Sequence, residues 1–348
     1  MTETQPREDG TGTLDRSAGW RLPSQNEFVR YAEDTVAGAL TSLEEERRTV
    51  ARKAVRIIVI GILLGLATPF IVGPFFLLVA KSRAEGMDFM RIFAPVSALL
   101  VGLAVSYFGY LLVTHDFRLR FKTDLINPLV RFFGADFSYQ PLACIDFDTF
   151  LASRLFPGQL NELSGQDYIS GTAGKTKFQA CELLAQEKSE DVKEDGTRTT
   201  GYTTLFKGLF FVGEFNKAFT GTVIVLPRSK LARDASGASV GELVKLEDPE
   251  FSKIFCVYAT DQILARYVLT PSLMLRIVEY RTMVGRDVYL SFVNGVLYVA
   301  VKTGLALFEP KLFSPLDATQ YVRNFDDIHT VLGIVEELNL NTRLWTKR

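Results

Sequence analysis

Two uncharged apolar runs constrain this chain more than anything else in it. Residues 57–80 are 24 long and residues 92–114 are 23 long, and neither run holds an Asp, Glu, Lys, Arg or His. A hydrocarbon core of ~30 Å needs about 20 apolar residues of helix, so each run is long enough to cross a bilayer. Pro69, Pro74 and Pro95 lie inside the runs. Proline is tolerated in membrane helices because neighbouring helices and local adjustment satisfy the freed carbonyls. A kink near Pro69–Pro74 is expected. About fifty mostly hydrophilic residues precede the first run, which is too long for a signal-peptide core. With a connection of only residues 81–91, the two runs read as a helical hairpin.

The flanking charges set an orientation. Arg47, Arg48, Arg52, Lys53 and Arg56 precede the first run, and Arg118, Arg120, Lys122 and Arg131 follow the second. The connection carries Lys81, Arg83 and Arg91. Basic residues favour the cytoplasmic side, so both termini are expected there, in a multi-pass protein of the inner (cytoplasmic) membrane. Unpaired Cys144, Cys181 and Cys256, with no C-x-x-C, suit a reducing compartment and argue against a disulfide framework. The spans lack the charged groups that ion and proton pathways use. Gly61 and Gly65 form a G-x-x-x-G for close helix approach, with Gly102 and Ser106 as the small face offered by the second span.

Ahead of the hairpin, residues 1–23 read as a disordered polar tail. Residues 24–56 read as an amphipathic stalk. Ser24 and Glu27 fit a capping box, and Phe28, Ala32, Val36, Leu40 and Leu43 follow at helical spacing. The helix either pairs with a partner, including a second copy, or docks on this chain's own domain.

Residues 115–348 suffice for one globular domain. Phe121, Leu125, Leu129 and Phe132 predict a first helix, and Asp146 or Asp148 caps a short one. Strands follow at Gln166–Thr172 and Lys175–Ala185 around Ala173-Gly174, then at Tyr202–Phe215, Gly221–Leu226 and Phe255–Ala259. The charged stretch Glu187–Thr200 reads as a loop tip. Thr270-Pro271 opens a helix that Gly285 ends, Asn294-Gly295 joins a hairpin, and a helix spans Pro315–Leu338. The fold class is therefore α+β: a two-helix transmembrane hairpin followed by a soluble domain with a mainly antiparallel sheet and flanking helices.

The chemistry-bearing motifs are thin. Gly174-Lys175-Thr176 ends like a phosphate-binding loop, but Ile169 stands where that pattern needs glycine. Asp146-x-Asp148 and Asp261 read as helix caps rather than metal or acid–base groups. His115 and His329, the only histidines, make no zinc site with scattered cysteines. Cys181 needs a nearby base to act as a nucleophile. No catalytic, cofactor-binding or metal residue is therefore assigned, and an enzyme is the least favoured class. With a net charge of -1, nucleic acid is not an expected partner. Arg118, Arg120 and Lys122, with Arg52, Lys53 and Arg56, are expected at the inner leaflet.

Residues 118–338 resemble an uncharacterised bacterial family of two-span membrane proteins with a cytoplasmic domain of unknown function. The resemblance is carried by Phe150–Pro157 (FLASRLFP), Gln166–Thr172 (QDYISGT), Leu205–Phe215 (LFKGLFFVGEF), Phe219–Pro227 (FTGTVIVLP), Phe255–Thr270, Asp287–Val301 and Leu307–Phe313 (LFEPKLF). It implies that layout and no reaction. The reading preferred at this point is a membrane-anchored cytoplasmic protein-interaction module, bound to the lipid bilayer and a protein partner, with a homo-oligomer allowed. An inner-leaflet lipid-sensing protein comes second and a membrane-bound enzyme third.

Overall fold

The structure, a computed structural model, describes residues 22–79, 83–156, 158–192, 198–228, 241–303, 307–338 and 340. The tail expected at 1–23 lies outside these residues except for Leu22 and Pro23, both buried. One helix, α1 (Gln25–Val79), holds stalk and apolar run together with Pro69 and Pro74 inside it, and at ~1.5 Å per residue it is about 80 Å long. It starts on the expected capping box: Ser24 N donates to Glu27 Oε2 at 2.7 Å, and Glu27 N to Ser24 Oγ at 3.4 Å. The returning helix α2 spans Arg83–Phe121.

The two helices meet through their small residues. A Cβ on Gly61 would overlap Ser106 and the Gly102 carbonyl, and one on Gly65 would overlap the Ala98 carbonyl and Gly102. The G-x-x-x-G is thus used within the hairpin. Both helices are long and apolar enough to cross a membrane. Their outward side chains, such as Leu66, Phe70, Leu103 and Leu112, stay exposed, the last at 77%.

The stalk half of α1 docks on its own domain. Phe28, Ala32, Val36, Leu43 and Val50 are buried in the main core. The Phe28 ring lies between Phe132, Phe133 and Phe325, and Tyr31 donates to the Pro128 carbonyl at 3.4 Å. Beyond Phe121 the chain makes one π-helical turn, Lys122–Ile126, and then α3 (Asn127–Arg131).

Among the described residues nine antiparallel strands form one sheet: β1 (Ser138–Gln140), β2 (Glu162–Ala173), β3 (Thr176–Val192), β4 (Arg198–Glu214), β5 (Thr222–Pro227), β6 (Glu242–Val244), β7 (Phe255–Ala259), β8 (Val288–Val293) and β9 (Val296–Lys302). Their order is β1-β2-β3-β4-β9-β8-β5-β7-β6. The class is α+β, as the alternation of strand and helix signals implied. Side chains alternate between two cores. Val288, Leu290 and Phe292 join the core beneath α1, α3, α7 (Pro271–Val284) and α8 (Thr319–Glu337), whereas Val293, Tyr298 and Ala300 join one beneath α4 (Phe147–Ala152) and its flanking loops. Burial on both faces leaves strands such as TVIVLP apolar after their first residue.

Turn chemistry fixes the register. Asn294 (φ 50) and Gly295 (φ 82) form the β8–β9 turn, as a type I′ hairpin requires. The β2–β3 turn centres on Gly174 (φ 66) and Lys175, one residue later than expected. Helix limits also follow local rules: α7 is capped by Thr270 with Pro271 at its first position and ends at Gly285 in the left-handed region. Residues 187–192 and 198–200, expected in a loop tip, instead extend β3 and β4 into a paired ribbon. The ribbon runs past the last β2 pairing at Gln186 and the last β9 pairing at Gly208, and Lys188, Ser189 and Thr200 on it are exposed.

Candidate functional site

The most unusual local structure gathers where α2 enters the domain. Pro128 has no N–H for the Asp124 carbonyl, so the α-helical ladder cannot continue through it. The π turn precedes it, closed by Asn127 N–H to the Lys122 carbonyl. Such turns add a residue to the helix and change which side chains face inward. Here Phe121, Lys122, Leu125 and Ile126 are all buried.

Opposite Lys122, β2 is irregular. Its pairing with β3 shifts between Gln166 and Ile169, and Asp167 within that bulge has φ 61, a region Asp tolerates better than most residues. Its N–H donates to the Pro141 carbonyl at 3.0 Å, and its side chain is fully buried. Lys122 Nζ stands 2.9 Å from Asp167 Oδ2 and 3.1 Å from Glu309 Oε1. Tyr139 of β1 donates its hydroxyl to Asp167 Oδ1.

The segment 307–316 completes the cluster and ties it to both long helices. Leu307 N–H donates to Glu182 Oε2 at 3.1 Å, and Phe308 N–H to Asp327 Oδ2 at 3.1 Å. The Phe308 ring packs edge-on to Tyr139 at 5.7 Å. Glu309 also faces Arg118 of α2 at 3.7 Å. On the α1 side, Arg47 Nη1 donates to the Leu312 carbonyl at 2.6 Å while Glu44 Oε2 accepts Leu316 N–H at 2.9 Å, and Arg47 Nε pairs with Glu44 at 2.7 Å. The segment is therefore a strap held by α1, α2, β3 and α8 together.

Asp167 and Glu309 meet one buried ammonium, while Glu182 and Asp327 accept the strap's Leu307 and Phe308 N–H groups. Burial pushes the Asp167 carboxyl up to about 6, against the pull of Lys122 and Tyr139. Burial likewise raises Asp327 to about 6, with the Phe308 N–H opposing and Asp326 and Asp167 adding. Burial and the Asp167 charge hold the Tyr139 hydroxyl well above its ordinary range. The joint is acid-rich, and burial favours the protonated forms of Asp167 and Asp327 within it. Among the described residues no group of three or more His, Cys, Asp or Glu is arranged for a metal ion.

The residues singled out from sequence lie elsewhere. Asp146 caps α4 by accepting Thr149 N–H at 2.9 Å, with Asp148 in its first turn. Asp261 caps α6 (Gln262–Val268) by accepting Leu264 N–H at 2.9 Å. Gly174-Lys175-Thr176 belongs to a hairpin, without the helix a phosphate loop needs. His115 is exposed on α2, and the His329 ring lies 5.6 Å from Phe325. Cys181 is buried and accepts Ile145 N–H at 3.3 Å, and burial pushes its thiol up to about 12, which leaves it inert as a nucleophile. Lys122 corrects one expectation: it pairs inside the domain and has no surface to offer a lipid headgroup. Its partner Asp167 went unmarked, because a carboxylate in a strand-like stretch gives no signal until the bulge is seen.

Residues 204–340, from β4 to the end of α8 and including the strap, match the model of a family described as Protein of unknown function (DUF3137). No curated protein and no solved structure matches the chain.

Proposed function

We propose that this chain is an integral membrane protein of a bacterial cytoplasmic membrane, spanning it at 57–80 and 92–114 with both termini inside. Its α+β domain then serves as a protein-interaction module mounted on the inner face. The observation that carries the anchor is the hairpin's surface. Leu63, Leu66, Phe70, Leu99, Leu103 and Leu112 project outward around two helices with no charged residue to solvate them. A soluble domain would rarely leave so large a continuous apolar surface in water.

The module reading draws on the sheet's far edge. Strand β6 pairs only with β7 among the described residues, and α6, which carries Ile263 and Tyr267, packs beside β6, which carries Leu243. All three side chains are exposed, Ile263 at 78%. This edge is eight strands away from β1, which packs beside the membrane-proximal α3. A protein partner would find it unobstructed by the bilayer.

Crosslinking in native membranes, followed by purification in mild detergent, tests the reading. Extraction of the chain by alkaline carbonate would overturn the anchor. Recovery of the chain without a stoichiometric second protein would overturn the module. The second reading, lipid contact by the domain itself, is favoured by one side chain, Phe313.

A further inference from the structure

The strap's tip stands at the height where the apolar run ends. Ile57 of α1 packs against Gly109 of α2, so Arg56 and Tyr110 lie level with each other across the hairpin. Tyr110 is four residues inside the end of the second run at Thr114. The Phe313 ring stacks on Tyr110 at 6.5 Å and 24°, and Arg118 lies 5.8 Å over the same ring. Phe313 is nonetheless 61% exposed. Two residues earlier Lys311 is exposed, and Arg52, Lys53 and Arg56 are exposed at about this height on α1. Against these stands exposed Asp116, whereas Glu309 is taken up by Lys122 and Arg118.

An aromatic pair and a ring of basic groups at the edge of an apolar band is the composition of a membrane interface. The tip is also held in place from the domain side. Leu312 is buried and its carbonyl is fixed by Arg47, so Phe313 cannot fold inward. An exposed phenylalanine on a clamped segment, continuous with the apolar helices, needs an apolar partner at that height.

We infer that the tip of the strap, Lys311 to Phe313, is a lipid-contact site, with Phe313 entering the boundary between headgroups and acyl chains and Lys311 taking an anionic phospholipid headgroup. The inference rests on the two-span reading above. It gives the domain a fixed stance on the bilayer, set by a contact outside the spans. The strap then links that contact directly to the Lys122–Asp167 joint through Glu309.

The test uses the full chain with Trp20 and Trp345 replaced by Phe, reconstituted into vesicles containing brominated phospholipid, with a single tryptophan introduced in turn. Leu112→Trp reports the apolar run, Phe313→Trp the tip, and Tyr267→Trp the far edge of the sheet. The expected result is quenching at 112 and 313 and none at 267. Bromine carried on an anionic lipid should quench position 313 about twofold more than the same fraction carried on a zwitterionic one, and Lys311→Glu should bring that ratio to about one. Quenching at 112 with 313 as unquenched as 267 would overturn the lipid-contact site and leave the anchor standing. No quenching at 112 would overturn the two-span reading itself. Equal quenching by the two lipids would overturn the anionic preference.

Discussion

Lys122 Nζ and Asp167 Oδ2 are 2.9 Å apart, and each is presented by a departure from regular backbone: a π turn on one side and a left-handed residue in a β-bulge on the other. Two irregularities that meet in one buried ion pair are unlike ordinary core packing. A buried pair is weak evidence for stability, since desolvation offsets much of its attraction. Its stronger consequence is geometric. It fixes the rotation of α2 about its own axis relative to the sheet, and Glu309 extends the same constraint to the strap.

Breaking the pair on one side should therefore be costly. Lys122→Met leaves Asp167 buried with Tyr139 as its remaining partner, and a loss of ~3–5 kcal/mol is expected. Adding Asp167→Asn should recover much of it, because an amide needs no counter-charge. Acid should lessen the single variant's loss as well: once Asp167 is protonated, the missing ammonium matters less. Denaturant titration of wild type and both variants at pH 5 and pH 8 reads all three effects. A single variant as stable as wild type at pH 8 would remove the joint from the account.

Asp327 titrates in the same sense as Asp167. Its carboxyl is raised from the ordinary 3.8 to about 6, so between those values the folded chain holds a proton the unfolded chain has released. The stability it contributes is full below about 4 and is lost as pH rises through about 6. Asp327→Asn keeps an acceptor for Phe308 N–H and abolishes the titration. The variant should gain on the order of 1 kcal/mol over wild type at pH 8 and nothing at pH 4. Glu44 runs the other way: its bonds with Arg47 hold it down at about 2, so its contribution is present above 4.5 and lost as pH falls toward 2. Glu44→Gln should flatten that acid limb.

The hairpin makes a paired prediction about glycine. Gly65→Val places a branched side chain where the Ala98 carbonyl and Gly102 already touch the helix, and backbone cannot yield as a side-chain tip can. The midpoint of thermal unfolding in detergent should fall. Gly38→Ala, on the exposed stalk with nothing within 4 Å of the new methyl, should raise stability by up to about 1 kcal/mol. Equal effects at both positions would mean that the helices do not approach this closely.

How far the sequence reached follows from what each element depends on. The apolar runs, the capping box at Ser24, the Asn294-Gly295 hairpin and the Thr270-Pro271 start of α7 are local, and residue types alone specify them. Even the docking of Phe28, Ala32 and Val36 was half-visible: the stripe required a partner and left open which one. The β3–β4 ribbon was missed because its strands pair with each other beyond the sheet's cover, so alternation against a core is absent. The joint was missed for a different reason. Lys122 follows Phe121 and precedes Leu125 in a helical stripe, and only the π turn brings it inside. Asp167 faces it only because of a bulge, and Glu309 arrives from more than a hundred residues away. None of these encounters has a local signature.

The last prediction concerns the lock on the strap. Arg47 is buried by its contact with the Leu312 carbonyl, and it orients Glu44 to receive Leu316 N–H, so one guanidinium holds the segment at two points. Arg47→Ala removes the first bond and releases Glu44 from the second. Hydrogen bonds to charged groups contribute ~1.5–3 kcal/mol each, and losing one should raise the open population of the strap about tenfold or more. Lys311 is exposed, but cleavage after it requires the chain to leave its clamped course. Trypsin should therefore cut wild type slowly at Lys311 and the Arg47→Ala variant about tenfold faster, the rate following the open fraction when closing outpaces cleavage. Arg47→Lys should fall between, since an ammonium cannot engage Glu44 and the carbonyl in the same fork geometry. If Arg47→Ala is cut at Lys311 no faster than wild type, α1 does not hold the strap, and its coupling to the domain rests on the buried apolar face from Phe28 to Val50.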